Sequence, residues 1–229
     1  MTKHIGIVAC SAEGAALCYC TICTEGPNLL ERYAHPEVTM HTFSLAEYMR
    51  YIEADDWENV ASLMLASVAK IAKAGVDFAI CPDNTCHQAF DYVVAKSPVP
   101  WLHIAEEVVN VAEMKGYDNL LILGTKYLMT GPVYKEIFMK NGIKYNIPDE
   151  DTRDHIDRII FDELVYGIIK SDSKNFILQV IIDFKSRGCN AVVLGCTEIP
   201  LIVLPDGSGL PVLDSTRILA RAAIREAVG

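Results

Sequence analysis

The chain has 229 residues, 51% of them hydrophobic and 22% charged, with a net charge of −10 and a pI near 5.0. That is the make-up of a soluble globular protein with a substantial core. Its negative field argues against nucleic acid or an anionic membrane as a partner, although a local site can still hold a small anion.

The predicted elements begin with a strand over 4–9, a helix over 12–31, a strand over 37–43, a helix over 57–74, a strand over 76–81, a helix over 84–95 and a strand over 100–103. A helix over 105–115, a strand over 119–123, a helix over 130–141 and a strand near 144–147 follow. The series ends with helices over 151–168 and 173–187, a strand over 190–194, a short helix near 197–203, a strand over 211–213 and a helix over 214–227. This alternation predicts an α/β protein of parallel sheets flanked by helices. Gly75 and Gly188 stand where a helix must stop before a strand, as a left-handed C-cap requires. Asn84-Thr85 and Asp214-Ser215 are candidate N-caps.

Two stretches read as copies. Residues 75–85 are Gly-Val-Asp-Phe-Ala-Ile-Cys-Pro-Asp-Asn-Thr, and residues 188–198 are Gly-Cys-Asn-Ala-Val-Val-Leu-Gly-Cys-Thr-Glu. Each starts at a glycine, has Asp77 or Asn190 two residues on, runs apolar, and reaches Asp83 or Cys196 eight residues after the glycine. Upstream lie helical patterns (Met64, Val68, Ile71; Phe176, Val180, Ile181, Phe184), and downstream Val99-Pro100 matches Leu210-Pro211. The chain is therefore expected to form two pseudo-symmetric Rossmann-like lobes. The first is assigned to 1–97 plus a C-terminal helix over about 214–229, the second to 98–213, with the active site in the cleft between them and Asp83 facing Cys196.

Ligands of open α/β sheets bind beyond the carboxyl ends of the strands. The residues expected there are Ala9 to Glu13, Ser44, Cys81 to His87, His103, Gly124 to Lys126, Gly195 to Glu198 and Asp214, a set rich in hydroxyls and in N–H groups able to hold a carboxylate. No G-x-G-x-x-G follows a strand and no P-loop is present, which speaks against nucleotide binding.

No apolar run approaches a membrane span. The run after Met1-Thr2-Lys3-His4 is too short for a secretory signal, so a cytoplasmic location is expected. The eight cysteines (Cys10, Cys18, Cys20, Cys23, Cys81, Cys86, Cys189 and Cys196) are then expected to be reduced. Cys18, Cys20 and Cys23 bunch together without a second ligand cluster, so no metal site is assigned. Cys81 and Cys86 read as packing residues.

At Asp83-Asn84-Thr85-x-His87 and Val192-Val-Leu-Gly-Cys-Thr-Glu-Ile-Pro200 the chain resembles the aspartate/glutamate racemase superfamily, and most closely its aspartate racemase branch. Leu123-Gly124-Thr125, Tyr134 and the Ile159-Ile160-Phe161-x-Glu163-Leu164 segment carry the same resemblance. It implies a homodimeric enzyme that needs no cofactor. One thiol removes the α-proton of an amino acid, and a second thiol on the opposite face returns one. The family's first motif reads Cys-Asn-Thr, so Asp83 stands where a cysteine is usual. Relatives with threonine there favour one enantiomer, and family decarboxylases of disubstituted malonates keep only the second cysteine. A further departure is Ala9-Cys10-Ser11-Ala12-Glu13, where many racemases carry a Gly-Gly pair.

On this reading Cys196 is one acid/base, placed at a strand end beside a helix N-terminus that lowers its pKa. Asp83 has three candidate roles: acid/base on the other face, a partner for a substrate ammonium, or a helix cap. Asn84, Thr85, Thr125, Thr197 and Ser11 are candidate donors to the α-carboxylate as it becomes enediolate-like. His87 orients Asp83 or satisfies core hydrogen bonds, and Glu198 polarises a neighbour or holds the loop. Arg50 and Lys126 are candidate counter-ions for a second carboxylate, while His103 and Asp214 are expected to support the site. The leading expectation is a cofactor-independent racemase of the aspartate/glutamate type. The alternatives are a one-cysteine decarboxylase or isomerase of a small dicarboxylic acid, and a catalytically silent carboxylate binder.

Overall fold

Gly75 and Gly188 each end a helix with a positive φ, 85° and 93°, a region where a Cβ would be strained, and a buried strand starts within three residues of both. The computed structural model describes residues 2–229. These residues divide into two compact units, one of residues up to 107 together with 216–229, the other of residues 108–215.

The first unit runs β1 (Ile5–Ala9), α1 (Ala12–Glu25), β2 (Val38–Thr42), α2 (Leu45–Ile52), α3 (Trp57–Ala72), β3 (Phe78–Ile80), a 3-10 turn (Thr85–Ala89), α4 (Phe90–Val94) and the start of α5 (Ile104–Lys115). The second continues with β4 (Asn119–Leu123), α6 (Lys126–Thr130), α7 (Pro132–Lys140), β5 (Lys144–Asn146), α8 (Glu150–Asp162), α9 (Ser171–Ser186), β6 (Ala191–Leu194), a 3-10 turn (Ile199–Leu201) and β7 (Val212–Asp214). The last helix, α10 (Ser215–Val228), lies almost wholly in the first unit. Its Leu219, Ala220, Ala223, Ile224 and Ala227 form one apolar face that packs with Ile5, Ile7, Phe78, Ile80 and Ile104. A two-point Arg221–Glu25 contact (2.6 and 2.8 Å) fastens it to α1.

Both sheets are wholly parallel, in the orders β2-β1-β3 and β5-β4-β6-β7. Every residue of β1 is buried, as expected of a strand covered on both faces, whereas the edge strand β2 alternates between half-buried and exposed.

The internal repeat leaves matching hydrogen bonds in the two units. Asp77 Oδ2 accepts from the His4 amide (2.6 Å) and Asp77 N–H donates to the His4 carbonyl (2.8 Å). In the same way Asn190 Oδ1 accepts from the Asn119 amide (3.2 Å) and Asn190 N–H donates to the Asn119 carbonyl (2.8 Å). The Pro100 carbonyl accepts from Ala79 and the Pro211 carbonyl from Val192, both at 2.9 Å.

Three expectations are corrected. The strand over 100–103 is a single parallel bridge, Ala79 to Trp101, because the chain turns into α5 at Ile104 and Ala105 N–H bonds to His103 Nδ1 (3.2 Å). The helix over 84–95 is a 3-10 turn followed by five α-helical residues. The helix near 197–203 is a three-residue 3-10 turn with Pro200 inside it. Two helices were not anticipated: α2, where only Tyr48 and Ile52 are buried along eight residues, too few for a clear period, and the five-residue α6, too short to show one.

Candidate active site

A parallel sheet opens a crevice where its strand order reverses. In the first unit that point lies between β1 and β3, whose paired register runs Ile5 to Phe78 and Ile7 to Ile80. The chain beyond β1 carries Cys10 and Ser11, and the chain beyond β3 carries Cys81 to His87. In the second unit the point lies between β4 and β6, with Leu123 beside Leu194. Gly124-Thr125 and Gly195-Cys196-Thr197-Glu198 follow. Ser11, Asp83, Asn84, Thr85 and His87 thus lie at the switch point of the first sheet and Thr125, Cys196, Thr197 and Glu198 at that of the second, whereas Ser44 follows the edge strand β2 and Asp214 ends the edge strand β7.

In the first unit Asp83 is half-buried, and Asn84, Thr85 and His87 are buried. Ser11 caps α1, its Oγ accepting from the Gly14 amide at 3.3 Å. The Asn84 side chain makes no cap bond to the 3-10 turn that follows it. His87 Nε2 lies 3.0 Å from the Cys81 carbonyl, which only accepts, so that nitrogen carries the proton. His87 thereby ties the loop to the end of β3, with its ring stacked on Phe90 (5.2 Å) and edge-on to His103 (4.6 Å).

Burial holds the His87 imidazole well below its ordinary pKa, helped by the nearby His103, and burial moves His103 down to about 4. Both rings are therefore neutral at pH 7. An unfolded histidine takes its proton near 6.5, so stability from a depressed His103 is present above that pH and lost as pH falls toward 4. The loss amounts to about 3 kcal/mol. Urea unfolding at pH 7.0, 5.5 and 4.5 should show this decline, and His103→Gln should flatten it.

In the second unit Cys196 is 7% exposed, and its thiol donates to Glu198 Oε2 at 2.9 Å. Thr197 Oγ1 donates to the same oxygen at 2.7 Å, and Glu198 is only 4% exposed. A buried carboxylate therefore gathers both preceding side chains and already holds the thiol proton in a hydrogen bond. This replaces the expected helix terminus beside Cys196, because no α-helix follows it. Thr125 caps α6, accepting from the Leu128 amide at 3.2 Å. Tyr134, fully buried, is pushed upward in pKa by burial, against a hydrogen bond with Ser215 that lowers it, and stays protonated. Ser215 Oγ donates to the Leu194 carbonyl (2.8 Å) and so pins the end of β6.

Gly195 and Gly124 allow the two strand ends to meet. A Cβ on Gly195 would overlap the Leu128 Cδ2 methyl and come within 3.2 Å of the Leu123 carbonyl oxygen, to which Gly195 N–H donates at 2.7 Å. Gly195→Ala should therefore cost about 1–3 kcal/mol in urea unfolding and displace the adjacent Cys196. Of the candidate counter-ions, Arg50 is exposed on α2, over the ring of Tyr51, and the exposed Lys126 ammonium faces Asp157 at 3.8 Å.

A family model of Asp/Glu/hydantoin racemases matches residues 28–223. The chain belongs to this family. A crystal structure from Yersinia pestis ascribed to an Asp/Glu racemase superposes with a TM-score of 0.90 at 29% identity, covering 99% of this chain and 100% of that one. An aspartate racemase homologue from Pyrococcus horikoshii OT3, PH1733, gives 0.86 at 28% identity, with 100% of both chains covered. The broad specificity amino-acid racemase RacX of Bacillus subtilis is 22% identical over 172 residues, 74% of this chain and 73% of its own. The two-unit parallel α/β architecture of this racemase-family chain is thus the family fold.

Two features of the racemase-family site escaped sequence reasoning. The Cys196–Glu198 bond spans two loop residues, a spacing with no periodic signature. The second feature is Tyr48, whose helix was missed. Its hydroxyl is fully buried, has no hydrogen-bond partner, and is driven up in pKa first by burial and then by the nearby ionisable groups Cys86, Cys81, Cys10 and Asp83.

Proposed function

We propose that this racemase-family chain is a cofactor-independent amino-acid racemase of the aspartate/glutamate type. Cys196 is the acid/base for one face of the α-carbon and Asp83 the acid/base for the other. The observation that carries this reading is the equivalence of the two residues. Each follows the second strand of its sheet's switch point, at the same distance from the glycine that opens the repeat.

In the forward direction Cys196 passes its proton to Glu198 and takes the α-proton as thiolate. Protonated Asp83 then supplies a proton to the opposite face. In the reverse direction the two exchange roles. The carbanion is tolerable only if its charge spreads into the α-carboxylate, and fixed donors must meet it there. Asn84, Thr85, Thr125, Thr197 and Ser11 are the donors assigned to that task. Glu198 is a positioning residue and proton acceptor for Cys196, and His87 holds the Asp83 loop to β3.

The test is chiral chromatography of D- and L-aspartate, D- and L-glutamate and a panel of other amino acids, each incubated with the protein and no added cofactor. Interconversion of both enantiomers of an acidic amino acid supports the reading. A protein that binds these acids and converts none of them would contradict it. The presence of a carboxylate where a second sulfur is usual favours one alternative, a one-cysteine decarboxylase or isomerase of a dicarboxylic acid. Carbon dioxide release from disubstituted malonates distinguishes it.

A further inference from the structure

Around Asp83 the first unit gathers three cysteines. The sulfurs of Cys10 and Cys86 and a carboxylate oxygen of Asp83 all lie within 4.8 Å of one another. Cys86 is hydrogen-bonded to both Cys10 and Cys81, and the Cys81 thiol points at the Asp83 carbonyl oxygen at 3.8 Å. All three cysteines are buried, while Asp83 is half-buried and gives the cluster an opening. The Tyr48 hydroxyl, buried without a partner, is close enough that charge formed on any of the four groups would act on it. A buried hydroxyl left unbonded forfeits its hydration without replacement, so its position beside a ready-made ligand set needs a reason.

We propose that Cys10, Asp83 and Cys86 form a binding site for a thiophilic divalent cation of the zinc class, with Cys81 or a water as fourth ligand. Two sulfurs and one carboxylate are a borderline-soft donor set suited to such an ion. Zinc–sulfur bonds of about 2.3 Å in a tetrahedron place sulfurs about 3.8 Å apart, so the side chains draw together by roughly 1 Å at most. On binding, Cys10 and Cys86 each release one proton to solvent, and with the Asp83 carboxylate the three anionic ligands outweigh the ion's charge by one, a surplus that a nearby hydroxyl donor can stabilise. The Tyr48 hydroxyl can then donate to a metal-bound thiolate or the carboxylate, which answers its missing partner. A bound ion withdraws Asp83 from proton transfer, so the metal inhibits the enzyme. That last consequence, unlike the binding itself, rests on the racemase reading.

The experiment uses the full chain, reduced and kept anaerobic, with zinc affinity measured by competition against a chromophoric chelator and cobalt(II) as a spectroscopic probe. The expected result is one equivalent bound with a Kd below about 1 μM, together with a thiolate-to-cobalt charge-transfer band. The paired Cys10→Ser/Cys86→Ser variant should weaken binding by at least about 100-fold. Asp83→Asn, which alters one atom and tests the site if the paired variant fails to fold, should weaken it by about 10-fold. Cys20 is exposed and Cys23 half-buried, so the paired Cys20→Ser/Cys23→Ser variant is the control and should bind zinc as the parent does. Binding that vanishes with the control pair, survives intact in Asp83→Asn and the Cys10/Cys86 variant, or is weaker than about 100 μM in the parent overturns the proposal. In the racemase assay zinc should inhibit and a chelator restore activity. Tight binding through these residues without inhibition would leave the site standing and count against Asp83 as a catalytic residue.

Discussion

Replacing Cys196 by alanine is expected to lower racemisation at least about 10³-fold while leaving the fold intact. The sulfur is the acid/base assigned to the second switch point, and Thr197 beside it has no comparable acidity. Truncation removes one small buried atom, so the stability cost should stay near 1 kcal/mol in urea unfolding. Glu198→Gln separates proton acceptance from packing. The amide keeps the size of the carboxylate and can still accept from Thr197, but it cannot take the thiol proton. A fall in kcat on the order of 10²-fold with little change in KM is expected. An unchanged rate in folded Cys196→Ala would remove this residue from the chemistry.

Asp83→Cys is expected to raise racemisation, because a thiol restores on the first face the group that the family resemblance implies. Asp83→Asn is expected to lower inversion at least about 10²-fold, since an amide cannot exchange a proton at neutral pH. The surroundings sharpen the contrast. The Cys10 thiol is raised to about 12, a hydrogen bond from Cys86 lowering it while burial and the charge of Asp83 raise it. Cys81 and Cys86 are raised well above their ordinary values, Cys81 by its bond to Cys86 and Cys86 by its bond to Cys10, with burial adding to both. None of the three thiols is therefore a thiolate that could substitute for Asp83 at neutral pH. Kinetics of both variants in both directions, with circular dichroism as the fold control, decide the matter. No increase in a folded Asp83→Cys variant would count against the pairing.

Much of the fold could be read from the chain because buried parallel strands are short apolar runs and the glycines that precede them must adopt positive φ. Asp77 and Asn190 marked the repeat correctly because each bonds across to the start of its sheet's first strand. Pro100 and Pro211 did so because their carbonyls still pair although proline has no N–H to give. The failures have equally local causes. Helix α2 offers two buried positions, and the segment after Pro100 makes one rung before it must turn. The expected helix after Cys196 is a 3-10 turn, so the acidic partner of that thiol is Glu198 rather than a helix dipole. The sulfur cluster around Asp83 was hidden because Cys10 meets Cys86 only through the β1–β3 pairing, which no linear spacing reveals.

The central claim, one proton-transfer group for each face of the α-carbon, is tested most directly in D2O. Each enantiomer of aspartate and glutamate is incubated separately, and α-deuterium is measured in the recovered substrate and in its mirror image early in the reaction. Deuterium confined to the inverted product, from either starting enantiomer, is the predicted result. Deuterium entering the recovered substrate without inversion would show one working base, and no exchange into any acid that binds would show none.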